Sequence, residues 1–305
     1  ENNFLGKGIG LDTNFLVSTE SFKGKFTATN PNFNNSDKSL FVSAEAIEYD
    51  NLQTFGYKTN KTGISVGTDF EYLNDFYVGI SNSNYYEVIE TNSTASAQQQ
   101  SQEGNYWDTF IKLNMNYDKR NQKFQTTDGF KSFYSIVLPV VSDTNTIKNY
   151  YNYSHYFDFF EKNFSSISIY LQSANSLNNK DIKLSERITI PSSRLRGFEV
   201  GKVGPKDGDD YVGGNYAYSI NFTSNIPQVF EDSQNVDFLI FADAADLWGV
   251  DYNSSIKGNG IRSSIGIGLD WISPLGPMNF SLAYPFTKKT GDKTETFRFN
   301  LGTTF

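Results

Sequence analysis

Few residues in this chain are able to carry bond chemistry. There is no cysteine, which removes thiolate nucleophiles, sulfur-ligated metal centres and any disulfide framework. One histidine, His155, cannot build a His-rich metal site, and without a partner base the many serines are poor nucleophiles. His155 sits in a Tyr-rich stretch and reads as an interfacial residue rather than a ligand. Asp207-Gly208-Asp209-Asp210 starts like a calcium loop but lacks the closing glutamate, so it reads as a solvated loop. Asn60-Lys61-Thr62 and Asn92-Ser93-Thr94 are formal sequons of a kind that an Asn-rich chain produces by chance. Gln98-Gln99-Gln100-Ser101-Gln102 has the composition of an external loop tip. The remaining candidate is Arg196-Gly197-Phe198. An arginine taken out of water needs a carboxylate, best in bidentate geometry. Taken alone, the tripeptide reads as an ordinary surface loop with a solvated arginine.

The elements that must hold such a group are strands. The chain has 305 residues, 26 basic against 34 acidic side chains and a net charge of −8. With no basic block, it is a poor partner for nucleic acid. Apolar residues reach only 38%, yet aromatics reach 16%, with 27 Phe and 19 Tyr. No apolar run approaches the roughly 18–20 residues of a membrane-spanning helix, and no signal-peptide pattern opens the chain. Helical periodicity is missing. Period-2 alternation is nearly everywhere, as in Ile265, Ile267, Leu269 and Trp271 against Ser264, Gly266, Gly268 and Asp270. The alternation predicts about fourteen strands: Lys7–Leu16, Ser21–Asn30, Leu40–Tyr49, Thr62–Tyr72, Phe76–Ile89, Gly104–Asp118, Phe130–Pro139, Asn149–Asp158, Ser165–Ser173, Asn215–Ser224, Val236–Ala244, Ile261–Ile272, Pro277–Tyr284 and Glu295–Phe305.

Alternation alone fits a soluble sandwich with apolar residues inside, or a membrane barrel with apolar residues outside. A soluble sheet this large would need a second apolar surface or covering helices. The polar faces here carry Gly, Ser, Asn, Asp and Lys, which suit a wide hydrated lumen. Trp271, Tyr284, Tyr117, Phe222 and Phe305 lie near strand ends, where interfacial girdles form. Short turns at Leu73–Asp75 and Ser273–Gly276 contrast with long connections at Glu90–Glu103, Ser142–Lys148 and Ala174–Gly214. The expected fold is an all-β, transmembrane, antiparallel up-and-down β-barrel.

The last third of the chain carries Arg194-Leu195-Arg196-Gly197-Phe198, Gly213-Gly214-Asn215, Phe241-Ala242-Asp243, Leu247-Trp248, Ser273-Pro274-Leu275-Gly276-Pro277 and Phe297-Arg298-Phe299-Asn300-Leu301-Gly302-Thr303-Thr304-Phe305. In this order and spacing the sequence closely resembles the C-terminal barrel of the BamA-type family of outer-membrane protein insertases, also called the bacterial surface antigen family. Local support comes from Asn2-Asn3-Phe4-Leu5-Gly6 and Thr29-Asn30-Pro31-Asn32-Phe33. The resemblance implies a protein that folds and inserts other β-barrels into the Gram-negative outer membrane through a lateral seam, without enzymatic chemistry or a cofactor. Its partners would be unfolded outer-membrane proteins as clients, outer-membrane lipids and Bam-type accessory lipoproteins. The family barrel has sixteen strands preceded by POTRA domains. The chain is accordingly expected to be a barrel fragment over 1–305, lacking the first two strands and the POTRA domains.

The resemblance also assigns residues. The 174–214 loop would fold into the lumen and be locked by Arg196 on Asp243, with Gly197 giving backbone freedom and Phe198 a packing anchor. Where the family usually has a glutamate, this chain has Asn221, which removes one charge from the lock. Asp237 and Asp270, on nearby polar faces, are possible compensating carboxylates. On the final strand, Phe297, Phe299, Leu301 and Phe305 would face lipid and Gly302 would permit close approach at the seam. Rival readings are a passive porin, a related secretion barrel sharing the Arg-Gly-Phe loop, and an outer-membrane lipase for which His155 leaves little room.

Overall fold

A computed structural model of the chain describes residues 3–4, 6–17, 21–52, 56–227, 229, 235–256, 258, 260–273 and 276–301. Fourteen strands form one sheet: β1 (Gly10–Val17), β2 (Ser21–Asn30), β3 (Ser39–Asn51), β4 (Tyr57–Leu73), β5 (Phe76–Thr91), β6 (Gly104–Asp118), β7 (Gly129–Val141), β8 (Thr146–Phe157), β9 (Ser165–Ser176), β12 (Tyr216–Asn225), β13 (Val236–Trp248), β14 (Arg262–Ser273), β15 (Gly276–Thr287) and β16 (Phe297–Leu301). Every neighbouring pair is antiparallel and follows chain order. A two-stranded hairpin, β10 (Lys206–Asp207) with β11 (Asp210–Tyr211), lies inside the β9–β12 connection. One short helix, α1 (Ala97–Gln100), sits in the β5–β6 connection, closed by a capping box between Ser96 and Gln99. Among the described residues no helix is long and apolar enough to cross a membrane.

The fourteen expected strands correspond one for one to this sheet. Alternation is a sharp signal where each strand has two chemically opposed faces. Those faces are distributed as a membrane barrel requires. Ile64, Val66, Ile80, Ile167, Ile169, Leu171, Ile220, Ile240, Ile265, Ile267 and Leu282 are exposed, whereas Ser43, Ser83, Glu87, Asp108, Ser135, Ser154, Asn221, Asp243, Ser264, Asn279 and Ser281 are buried. A water-soluble protein would bury the first set. Apolar side chains gain nothing from water and polar ones cannot face hydrocarbon, so lipid must lie outside and polar groups inside.

Connections 92–103, 177–215, 249–261 and 288–296 all fall at one rim of this up-and-down order. The opposite rim includes the tight 74–75 turn, where Asp75 has a φ of +64° and its N–H donates to Glu71 Oε1 at 2.7 Å. One expectation fails: the Ser142–Lys148 connection is not long. β7 runs on to Val141 and β8 begins at Thr146, because Thr146, Ile147 and Lys148 pair with Ser176, Asn175 and Ala174. A polar run does not end a strand whose inner face is itself polar.

Candidate luminal site

The 177–215 connection folds in rather than out. Its Ile182, Ile188, Ile190, Leu195, Phe198 and Val203 join Tyr170 and Ala174 of β9, Ala217 of β12, and Ala245 and Leu247 of β13 in one buried cluster. Each buried Ile, Leu or Phe contributes about 1.5–3 kcal/mol. The loop thus supplies an apolar core to a lumen whose walls carry many polar side chains. Reciprocal bonds between Ile188 and Gly214, at 2.8 and 2.9 Å, close its base.

Arg196 lies in this packed region, 2% exposed, with Asp243 on the β13 wall equally buried. Arg196 Nε donates to Asp243 Oδ2 at 2.7 Å, Nη2 to Oδ1 at 2.7 Å, and the Arg196 backbone N–H to Oδ2 at 3.0 Å. Nη2 also reaches Thr223 Oγ1 at 3.3 Å. The guanidinium lies 3.6 Å from the centroid of the Phe241 ring, on the same strand face as Asp243. The fork is therefore bidentate, stacked and dry, an arrangement that arginine alone can make.

Asn221 faces Asp243 across the β12–β13 register. Its amide donates to Asp243 Oδ1 at 2.8 Å and to the Arg194 carbonyl at 2.9 Å, while Ser219 Oγ donates to its Oδ1 at 2.8 Å. The residue that departs from the family pattern is thus inside the network. An amide supplies a donor to the carboxylate, so one cation faces one anion without a second negative charge. Asp237 and Asp270 oppose each other in the β13–β14 register and hold other partners. Gln125 Nε2 donates to both Asp237 oxygens at 3.2 and 3.1 Å, and Asn279 Nδ2 donates to Asp270.

Gly197 has a φ of +89°, and a Cβ there would come within 3.0 Å of Ala283 Cβ. The next residue, Phe198, is buried and bridges to Thr294. Its carbonyl accepts from Arg298 Nη2 of β16 at 2.6 Å, and the Ser192 carbonyl accepts from Arg298 Nη1 at 3.2 Å. The Glu295 N–H donates to the Gly197 carbonyl at 3.0 Å. The tripeptide is therefore held by β13 on one side and by β16 and the segment before it on the other. On β16, Phe297, Phe299 and Leu301 are exposed, and Phe299 packs on Phe280 at 4.9 Å. Gly302 and Phe305 lie outside the described residues. His155 is exposed on β8, stacked with Phe157 at 6.0 Å.

Sequence reasoning missed a second set of ties. Lys183, on the loop and fully buried, donates to Glu87 Oε2 of β5 at 3.0 Å and to Asp108 of β6. Glu186 accepts from Lys148 Nζ of β8 at 3.2 Å and from Thr144 Oγ1 at 3.2 Å. Burial disfavours the charged carboxylate of Glu186, but Lys148 and Lys183 outweigh it and hold its pKa at about 2. Burial disfavours the Lys183 ammonium, but Glu87, Glu186 and Asp108 outweigh that and push its pKa up. Further out, Arg187 pairs with Asp251, and Arg262 pairs with Asp246 and Asp292 at 3.0 Å each. The available signal was a charged residue at a mid-strand inward position, as at Glu87 and Asp108. Among the described residues no group of three or more His, Asp or Glu is placed to hold a metal ion.

The profile of the Omp85 superfamily domain matches residues 3–305. The chain belongs to the Omp85 superfamily. It is an outer-membrane β-barrel protein of the Gram-negative type. The outer membrane protein assembly factor BamA of Neisseria meningitidis is 36% identical over 140 residues, a stretch covering 36% of this chain and 17% of that protein. Among solved structures, BamA from Haemophilus ducreyi lacking POTRA domains 1–3 superposes with a TM-score of 0.87 at 24% identity, over 98% of this chain and 65% of that one. CdiB from Acinetobacter baumannii reaches 0.61 at 12% identity, over 98% of this chain and 55% of that one. Both likenesses are of fold alone, and the chain spans under a fifth of the Neisseria protein it matches.

Proposed function

We propose that residues 1–305 form the barrel domain of an outer-membrane protein insertase, which folds and inserts β-barrel clients through a lateral seam and makes or breaks no covalent bond. The observation that carries this reading is the loop core. A passive channel needs a wet, charged constriction, whereas the 177–215 loop packs Ile182, Ile188, Leu195 and Phe198 into a buried apolar cluster beside the Arg196–Asp243 pair. The 36% identity to the Neisseria assembly factor supports the same reading. In this proposal Arg196, Gly197, Phe198, Asp243 and Asn221 lock the loop, and the strand carrying Phe297, Phe299, Leu301, Gly302 and Phe305 forms one side of the seam. An edge strand offers unpaired backbone groups on which an incoming strand can add. Clients are unfolded outer-membrane proteins, helped by accessory lipoproteins of the Bam type. Depletion of the full-length protein in its own host tests this. Many outer-membrane proteins should fall together, and loss of one solute's uptake alone would overturn the reading.

A further inference from the structure

A second luminal feature lies under the loop, apart from the Arg196 tie. A cavity of about 310 Å³ is lined by inward side chains of β3 to β8 and by Ser185 of the loop. Lys61, Lys112 and Lys148 line it together with Glu87, Tyr85 and Phe110. Lys61 Nζ lies 4.5 Å from the Tyr85 ring centroid and 5.7 Å from that of Phe110, and Lys148 Nζ lies 5.1 Å from the same Phe110 ring. Two ammonium groups thus share one aromatic ring. Lys148 has Glu186 at 3.2 Å, but among the described residues neither Lys61 nor Lys112 has a carboxylate within 4.0 Å. Four lysines (Lys61, Lys112, Lys148 and Lys183) meet three carboxylates (Glu87, Asp108 and Glu186) here, although the whole chain carries −8. On the adjoining wall, Lys23 and Lys25 share the single Glu45. Cations are therefore in excess around a concave space.

Two further atoms give the site its character. Ser185 Oγ and Glu87 Oε1 are buried with no protein partner among the described residues, and both residues line the cavity. Burying such groups without partners is unfavourable. Together they offer ammonium donors, a hydroxyl donor and one carboxylate acceptor.

We propose that this cavity binds a small oxyanion that carries its own hydroxyl, of the hydrogen-phosphate class. Lys61, Lys112 and Lys148 neutralise its charged oxygens, Ser185 donates to one of them, and Glu87 Oε1 accepts from the P–OH. Sulfate has no proton to give at neutral pH and would set a lone pair against Glu87. Free phosphate and the monoanion of a phosphate monoester share this chemistry, whereas a phosphodiester has no P–OH to give. The site is independent of the insertase reading, since it requires no client.

Calorimetric titration of the full-length protein in detergent tests it, with inorganic phosphate, glycerol phosphate and sulfate at matched ionic strength and pH 6, where the monoester retains a P–OH in a large share of its molecules. Saturable phosphate binding is expected, with sulfate about tenfold weaker or worse. Binding of inorganic phosphate alone assigns the free ion, and equal binding of glycerol phosphate assigns a phosphomonoester. The Lys61→Gln/Lys112→Gln double variant should lose about tenfold or more in affinity while keeping the fast-migrating folded band on unboiled gels. Ser185→Ala, which removes only a hydroxyl, should weaken binding several-fold and serves where the double variant fails to fold. No saturable heat with either phosphate, sulfate binding as tightly as phosphate, or unchanged affinity in a folded variant each overturns the site.

Discussion

Arg196 is one of the side chains that tie the 177–215 loop to the wall. Its fork takes both oxygens of Asp243 and its face takes Phe241, so the arginine meets two requirements at once. Arg196→Ala leaves Asp243 buried without its countercharge, and should cost about 3–5 kcal/mol in denaturant unfolding followed by gel mobility. Arg196→Lys retains the charge but loses the fork and should recover only part of that. Gly197→Ala forces a side chain into a φ of +89° and against Ala283. It should cost about 1–3 kcal/mol in the same assay. At Asn221, replacement by Leu removes the amide donor to Asp243 and to the Arg194 carbonyl. The expected loss is about 1–3 kcal/mol, and none at all would show that the amide is incidental to the network.

At the scale of elements, the loop is held by separate anchors. Lys183 and Glu186 tie it to β5, β6 and β8, Arg196 ties it to β13, and Arg298 brings β16 onto its far side. Displacement of β16 must break the Arg298 bonds to the Phe198 and Ser192 carbonyls. Arg298→Gln should therefore speed amide exchange in the loop and in β16 together, and a change confined to β16 would show that the two move independently. The Lys183–Glu186 anchor has a definite pH window. The pKa of Glu186 falls from 4.5 to about 2 on folding, so its contribution is complete above 4.5 and drains away as pH drops toward 2. Lys183 shifts the other way: its contribution is complete below 10.5 and is lost as pH rises through its folded value. The part of loop protection that this anchor contributes, read as the difference between the wild type and a Lys183→Met variant with proteases stable at the extremes, should be flat between those limits and decline beyond each.

The whole molecule is a sheet turned inside out relative to a soluble protein. Its lipid face is aliphatic and aromatic, while its interior holds serines, asparagines and ion pairs. Ile267, exposed at the middle of β14, tests this arrangement. Ile267→Arg should cost about 2–4 kcal/mol for folding into bilayers if it lies near the midplane. An unchanged folding free energy would place β14 away from hydrocarbon.

The low apolar share and the aromatic excess follow from the same geometry, since only alternate strand residues meet lipid and long connections dilute the rest. That much was legible along the chain. Strand ranges and the division of each strand into two faces depend on residues one and two positions apart, and local alternation records them. Arg196, Asp243 and Asn221 were legible only through family resemblance. Lys183 with Glu87 and Asp108, Arg262 with Asp292, and Arg298 with Phe198 were not legible, because these partners lie on elements far apart in the chain. The 142–145 turn was read as too long for a related reason: a polar segment that faces a polar lumen looks like a loop until its neighbour is known. Periodicity determines which residues of each strand share a face, because it is a property of consecutive residues. Which charges pair in the lumen is decided only when the sheet brings distant strands and the inward loop together, because ion pairing depends on separation in space.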